Sequence, residues 1–480
     1  MSVSRITAPD LDPDESRDLA LMLTQLDVRG VANRKRIVYF NREKRVRKLG
    51  FSVPPQLRRM APILGWPEKA VTGLGMRVAF EEFVIPNMPN GDDRIRRIVD
   101  DNALEMEMPQ AHISALQLGP AFGFVTAGDP NLGEPDAVIS VRSALTSTAL
   151  WNRRTRKCRA GLSVIDVDDH GQPAVLNMYR PGVVITLTKL NAGWQVTRTP
   201  HSIQNEALVT PLVHQPYLER EFGSSRITQT VMDLTDSAAR TMLRAESHAE
   251  FSSGPQRYAM DLTSKQYDKV VENGAWQSII GSIFATELDE TAPPTTRPPT
   301  VGQFPQSSQE PHLAQLRSIA TMFAGETSLP LNSLGVVSDN PASAEAIQAA
   351  KEDMILLAQS CHTNFGFGWR RIVRHAVMVK EGLSEMPEDL LGLKARWRDP
   401  ATPTNTSRAQ AVSEQVREEI LPPHAAVTYE LLGYDPNTIQ RLQKAWEESG
   451  PSDTDRLAAA LSRQQQPALA PAAPIPAVAV

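Results

Sequence analysis

A mixed α+β fold, mainly helical, is what this sequence predicts, and three observations lead there. Long stretches repeat apolar residues every three or four positions, the spacing of a helix face. One central block, from about Val138 to Thr199, alternates every second position, as half-buried strands do. The two patterns fall in separate blocks rather than alternating strand by helix, which points to α+β rather than a parallel α/β sheet.

The chain has 480 residues, too many for one ordinary core and enough for two or three domains. Hydrophobic residues make up 41% and charged residues 22%, a globular balance. Fifty Lys and Arg against 55 Asp and Glu leave a net charge of -5, which argues against a surface built to grip phosphates everywhere. Two cysteines, Cys158 and Cys361, are too few for a disulfide framework or a thiolate metal site. The segment 1–19 is polar and acidic, without the apolar run of a signal peptide, and no run of about 18 apolar residues occurs, so the expectation is synthesis in a reducing intracellular compartment and no membrane span.

Along the chain, Asp14-Glu15-Ser16 followed by Leu19, Leu21, Leu23 and Leu26 predicts a capped amphipathic helix. Arg34, Lys35, Arg36, Arg42, Lys44, Arg45, Arg47 and Lys48 then interleave with Tyr39 and Phe40. That pattern fits a nucleic-acid patch, but a solvated helix face is the plainer reading. Trp66-Pro67 opens a second helix through Val71, Leu74 and Val78, with Pro in the first turn where its missing N–H is harmless. A third pattern runs from Asp93 through Ile95, Ile98, Val99 and Leu104. A fourth, His112 to Leu118, leads into an apolar strand, Phe122–Val125.

The period-two block reads as an antiparallel meander, its runs separated by Asp168-Asp169-His170-Gly171, Arg180-Pro181-Gly182 and Asn191-Ala192-Gly193. Asp166, Asp168, Asp169 and His170 could suggest a metal, but Asp/Gly runs at hairpin tips are ordinary turn chemistry. After Phe222-Gly223-Ser224 a helix of roughly 25 residues, about 37 Å long, is predicted through Ile227, Val231, Leu234, Ala238, Met242, Ala245 and Ala249. A turn-rich segment follows. A second helix carries Leu313, Leu316, Ile319, Ala320 and Phe323, so the pair predicts a helical hairpin with a small module at its tip. Gly325–Asn340 reads as a loop. Asn340-Pro341 starts the longest helix, with Ala344, Ile347, Met354, Leu357, Cys361, Phe365, Ile372, Ala376 and Val379 as its stripe and a bend expected at Gly366 and Gly368. A short strand, Leu391–Trp397, and two helices, Ser407–Glu419 and Thr438–Glu448, come last, before an Ala/Pro tail expected to be disordered.

Catalytic signatures are missing. No Gly-Lys dipeptide occurs, so no phosphate-cradling loop ends in GK[ST], and neither HExxH nor GxSxG is present. The nine histidines are scattered singly, none paired with another at ligand spacing. Gly119, Gly123 and Gly128 have the wrong spacing for a dinucleotide loop. Asp92-Asp93 and Asp100-Asp101 fit surface helix positions better than nuclease ligands. No catalytic residue, cofactor or metal is assigned.

Several blocks together resemble the portal proteins of tailed bacteriophages, in the family typical of long-tailed phages of Gram-positive hosts. They are Gly302-Gln303-Phe304-Pro305 through Pro311-His312-Leu313, Leu316, Leu329-Pro330-Leu331 and Asn340-Pro341-Ala342-Ser343-Ala344-Glu345-Ala346. Around them stand Trp66-Pro67 with Val71, Pro211-Leu212-Val213, Phe222-Gly223-Ser224-Ser225-Arg226-Ile227, Pro255-Gln256-Arg257-Tyr258, Trp397-Arg398-Asp399-Pro400 and Leu421-Pro422-Pro423. In order they cover roughly residues 15–450.

The resemblance implies a dodecameric, ring-forming portal fold at one capsid vertex of the virion. It would nucleate capsid assembly, admit double-stranded viral DNA during packaging and release it on ejection. Its implied partners are the large terminase, a head–tail adaptor and the major capsid and scaffolding proteins, with synthesis in the host cytoplasm. Mapped onto this chain, 1–215 and 341–398 would form an α/β wing, the latter with the long bent helix. Residues 216–250 and 311–324 would be stem helices flanking a clip at 251–310. The segment 325–340 would be a channel loop, 399–450 a helical crown and 451–480 the disordered tail. DNA-channel candidates are Arg317, Ser328, Asn332, Ser333 and Ser338, and stem intersubunit candidates are Asp233, Asp236, Arg240, Arg244 and Glu246.

Physical reasoning agrees with that role. One compact chain cannot enclose a duplex, whereas a head-to-tail interface that closes can. Each phosphate contact adds affinity, and many around a ring would stall the strand, so a mildly acidic chain suits a low-friction conduit. Two alternatives are a DNA-packaging nuclease working through the carboxylates and a virion subunit without a channel.

Overall fold

The first helix is α1, Pro13–Phe40, in a computed structural model whose described residues are 6, 8–44, 62–86, 88, 92–191, 193–252, 257–262, 264, 267–268, 300–303, 305, 308–336, 344–401, 405–434 and 436–449. The chain divides into two units, Met1–Ala401 and Thr402–Val480.

Helix α1 starts before the Asp14 cap expected from sequence. Asp12 is the N-cap, and the Glu15 carboxylate accepts its backbone N–H at 3.0 Å. Leu19, Leu23 and Leu26 are buried, but Leu21 lies off their face and is exposed. The helix continues through the basic stretch, where Arg34 is exposed and other described members are engaged within the chain. Lys35 reaches Gln229, Arg36 bonds Asn33, and Arg42 pairs with Glu68. Arg45, Arg47 and Lys48 lie outside the described residues.

Helix α2 is Trp66–Gly75 and strand β1 Phe80–Val84. The third and fourth helical patterns divide differently from expectation. Helix α3, Asp93–Asp101, stops at Asn102, and Leu104 opens α4, Leu104–Leu118, which absorbs the whole His112 segment. Ala103 between them is in the left-handed region at φ 47°, which breaks the helical path. Asp92 is more than a surface charge. It caps α3, accepts from the backbone and side chain of Arg94, and is held below the usual carboxylate range chiefly by that side-chain bond.

Strand β2 is Pro120–Ala127, β3 Ala137–Ser143, β4 Ser147–Asn152, β5 Lys157–Val167, β6 Pro173–Arg180, β7 Val183–Leu190, β8 Gly193–Pro200 and β9 Val209–Val213. The meander is antiparallel in the order β4-β5-β6-β7-β8. It is shorter than the sequence pattern, because β3 leaves it and pairs with β2 in a second sheet, β3-β2-β9. Period two persists across that switch, so alternation alone does not mark it. At the β5–β6 tip Asp168 is a turn residue: its carboxylate accepts from His170 N, Gln172 N and Lys189 Nζ.

Three apolar clusters hold these layers. Leu19, Met22, Leu23 and Leu26 of α1 pack on Leu162, Leu176, Met178, Ile185 and Leu187 of the meander. Asp18 of α1, nearly buried, meets Arg159 at 2.7 Å across the same seam. Phe122, Phe124, Tyr179, Val209 and Phe222 join the two sheets. The largest cluster gathers α2, α3, α4, the second sheet and three later helices around Trp369 and Phe365.

Helix α5 is Gln229–Ser252, β10 Arg257–Met260, β11 Thr300–Gln303 and α6 Glu310–Thr327. Helix α7, Ala344–Glu381, is the longest, 38 residues. It packs on β9 and on β12, Lys394–Trp397. Gly366 and Gly368 sit where neighbours come close. A Cβ on Gly368 would lie 2.6 Å from Leu212, and one on Gly366 3.2 Å from Trp397. Likewise Gly123 of β2 has a local reason: a Cβ there would stand 2.4 Å from Ile372. Cys158 and Cys361 are both buried free thiols, pushed up to about 12 by burial.

In the second unit, α8 is Asn405–Arg417, α9 Ala426–Leu432 and α10 Pro436–Ser449. Helix α9 was not expected. Its seven residues fall between Pro423 and Gly433, a span too short to show helical periodicity. The Thr428 hydroxyl ties it to the oxygen of Pro422 at 2.6 Å.

Candidate functional site

Helices α5 and α6 form an antiparallel arm. Thr228, at the start of α5, donates its hydroxyl to Glu326 near the end of α6 at 3.0 Å, while His248 near the end of α5 lies beside His312 at the start of α6. Val231, Ala238, Ala239 and Leu243 on α5 and Ile319, Ala320, Phe323 and Ala324 on α6 are buried, and Phe323 meets Trp66 at a 5.1 Å centroid distance. The sequence stripe therefore reads correctly as a hairpin, because i, i+3 and i+4 positions present one face to the partner helix.

Beyond the arm, β10 and β11 pair antiparallel, Arg257 with Gln303 and Met260 with Thr300. This brings together two sequence blocks more than 40 residues apart. Tyr258 stands opposite Gly302, and its ring occupies the space a Cβ there would need, 2.4 Å away. Most of the segment between them lies outside the described residues.

The base of the arm is built around Arg226, a residue the sequence reading left without a role. It is 8% exposed, yet no carboxylate neutralises it among the described residues. Its Nε donates to the Ala70 oxygen of α2 at 2.6 Å, and a terminal nitrogen donates to the oxygen of Thr327, the last residue of α6. A cation is favourable there because the final carbonyls of a helix have no intrahelical donors and carry the negative end of its dipole. Burial lowers Arg226 to about 10, so it stays charged near neutrality. Ser225 donates to the Gln117 oxygen at 2.6 Å and accepts from Ile227 N, which fixes the chain entering α5. A lone Arg between Ser225 and the apolar Ile227 was the available signal.

The candidate channel residues fall in three settings. Arg317 is exposed on α6, 3.8 Å from Glu310. Ser328 ends that helix in the left-handed conformation at φ 52°. Asn332 and Ser333 lie in a 3₁₀ turn, Leu331–Leu334, with Asn332 exposed and the Ser333 oxygen accepting from Lys69 at 2.6 Å. Ser338 lies outside the described residues. The expected loop 325–340 is thus less irregular than the sequence suggested. Residues 325–327 complete α6, and Leu329 and Leu334 are buried. Gly325 alone does not stop a helix, and the break comes only at Ser328, before Pro330.

The stem candidates also separate. Asp236 is engaged inside the chain, accepting from the Tyr39 hydroxyl of α1 at 3.0 Å, and Asp233 accepts from Gln229 at 2.7 Å. Burial, then the bond to Asp236, holds the Tyr39 hydroxyl well above its ordinary value. Arg240, Arg244 and Glu246 form no ion pair among the described residues.

A buried ionic cluster elsewhere fastens α7 to the meander. Glu206 lies among His375, Arg371 and Lys157, with Lys157 Nζ at 2.9 Å. Burial alone would raise the carboxyl, but His375 and Arg371 hold it well below the usual range. Burial lowers the fully enclosed His375, against the opposing pull of Glu206. The geometry of the cluster suits a structural joint.

The family model described as "Phage portal protein, SPP1 Gp6-like" matches residues 54–449. The portal protein of Mycobacterium phage L5 is 26% identical over 383 residues, covering 78% of this chain and 77% of that protein. The portal protein of Mycobacterium phage D29 is 25% identical over 420 residues, covering 85% and 84%. Among solved structures, a chain from the neck of an empty gene transfer agent particle is 14% identical with a TM-score of 0.45, covering 82% of this chain and 93% of that one. The match spans most of the chain and both relatives are portal proteins, so the chain belongs to the family described as phage portal protein, SPP1 Gp6-like.

Proposed function

We propose that this portal-family chain closes into a ring, usually of twelve copies in such assemblies, at one capsid vertex, with the α5–α6 arm as stem and the insertion beyond it as clip. The observation that carries the reading is the antiparallel arm anchored at its base by Arg226 and carrying its insertion at the far end. A rigid two-helix stave is what a ring needs to line a bore, since each subunit contributes one repeat and closure supplies the rest. Double-stranded DNA would pass through that bore during packaging and ejection. The large terminase and head–tail adaptor would meet the insertion, and capsid and scaffolding proteins the rest of the rim.

Arg240, Arg244 and Glu246 are the stem charges proposed to meet the neighbouring subunit. Asp236 and Asp233, bonded within the chain to Tyr39 and Gln229, are proposed to face the same neighbour. Arg317, Ser328, Asn332 and Ser333 are proposed to stand near DNA, together with Ser338. Most are neutral, as a conduit requires when phosphate contacts multiply around a ring. In this reading the protein acts as a conduit and does no chemistry on the strand.

Electron microscopy of the purified full chain tests the proposal: class averages should show closed rings with an open centre. Monomers or solid particles at high concentration would sink it. Incubation with plasmid and Mg²⁺ or Mn²⁺ addresses the nuclease reading, and metal-dependent cleavage lost on substituting Asp92 and Asp100 would favour that alternative.

A further inference from the structure

We infer that His248 and His312 form a two-imidazole site for a transition-metal cation of the Zn²⁺, Co²⁺ or Cu²⁺ type, stapling α5 to α6 at the end of the arm nearest the insertion. Among nine histidines that look solitary in sequence, these two are 64 positions apart yet face each other across the hairpin, with ring centroids 5.2 Å apart and planes inclined by 66°. Two imidazoles sharing one tetrahedral ion at about 2.0–2.1 Å from nitrogen would place their centroids about 5 Å apart. The ring spacing therefore matches that of two imidazoles on one ion. The Nδ1 of His248 is shielded from solvent and has no hydrogen-bond partner among the described residues, so a nitrogen lone pair or proton there is unmet.

The ligand chemistry selects the cation. Imidazole suits Zn²⁺, Cu²⁺, Co²⁺ and Ni²⁺, whereas Ca²⁺ and Mg²⁺ demand a shell of oxygens. Among the described residues no third His, Cys, Asp or Glu completes a cluster, so two coordination positions remain for water or for a neighbouring subunit. The position gives the site a mechanical consequence. Arg226 fastens the helices at their base, and a metal between His248 and His312 would fasten them where the strand pair β10–β11 begins. The insertion would then be carried on an arm fixed at both ends.

The test is calorimetric titration of the purified full chain with Zn²⁺ alone, followed by Cu²⁺ with pulsed electron paramagnetic resonance. About one equivalent per chain is expected. Because loss of even an outer-shell partner costs about 10–100-fold in metal affinity, His248→Gln and His312→Gln should each weaken binding by at least about 10-fold. His170→Gln, at an exposed hairpin tip, should leave it unchanged. Cu²⁺ should show nitrogen couplings from two imidazoles in the wild-type chain and from one in each single variant. Helical circular dichroism of the unliganded variants should match wild type, which separates loss of a ligand from loss of fold. The proposal is overturned if Zn²⁺ affinity stays within about 2-fold of wild type in both variants, or if wild-type Cu²⁺ spectra report one imidazole. In either case the rings touch edge to face and do nothing more.

Discussion

Arg226 at the entry to α5 donates to the backbone oxygen of Thr327 at the exit of α6, so a single buried cation closes the arm at the end opposite its insertion. The bond joins residues 101 positions apart. It also sits where the proposed channel loop leaves the helix, so the stem and the loop share one anchor.

Replacing Arg226 by Met should lower stability by about 2–4 kcal/mol, since bonds to a charged group are worth about 1.5–3 kcal/mol and removal strands two buried carbonyls. Arg226→Lys should fall between, because one ammonium cannot reproduce the guanidinium fork. Denaturant unfolding measures both, and amide exchange should show faster opening of 310–327 in the Met variant. Wild-type stability in Arg226→Met would refute the clamp.

Tyr39→Phe should cost about 1 kcal/mol by leaving the half-buried Asp236 without its hydroxyl donor. If Asp236 instead works only between subunits, Tyr39→Phe should leave monomer stability unchanged, a result opposite to the one expected.

Acid should weaken the fold, with the sign set by three buried histidines that burial lowers. His112 is lowered to about 3 and His214 to about 4 by burial, and His375 is lowered for the same reason. In the unfolded chain each titrates near about 6.5, so unfolding takes up protons as pH falls below that value and stability declines. Glu206, depressed in the fold, adds a loss at lower pH still, once the unfolded carboxyl begins to protonate. Denaturant midpoints measured from pH 7.5 to 5 should decrease, and His112→Gln should flatten part of that slope. A midpoint independent of pH over this range would contradict the account.

Gly368→Val should destabilise by about 1–3 kcal/mol, the usual cost of overpacking a filled core, because the first added carbon already lies 2.6 Å from Leu212. Combining it with Leu212→Ala should recover part of the loss, since the clash is with that side chain. Additive effects in the double variant would argue against direct contact.

Replacing 328–336 with a short flexible linker should leave ring formation intact by electron microscopy and reduce DNA packaging in vitro. Failure to assemble would show that this segment belongs to the subunit interface rather than to the bore.

The sequence by itself determined the helical stripes, the hairpin of α5 and α6, the buried Cys361 and the order of blocks that resembles portal proteins. Those follow from local periodicity and turn chemistry, which depend on near neighbours in the chain. Partnerships across long separations were decided only by the tertiary structure. Strand β3 alternates like the meander yet joins β2, because pairing depends on which edge is free and not on the period. Gly368 was read as a place to bend, although its neighbour Leu212 lies 156 positions earlier in the chain. Arg226, flanked by Ser225 and the apolar Ile227, hinted at burial but not at its partners Ala70 and Thr327, and the pair His248 and His312 gave no local signal, since a buried donor or a neighbouring imidazole has meaning only once its distant counterpart is beside it.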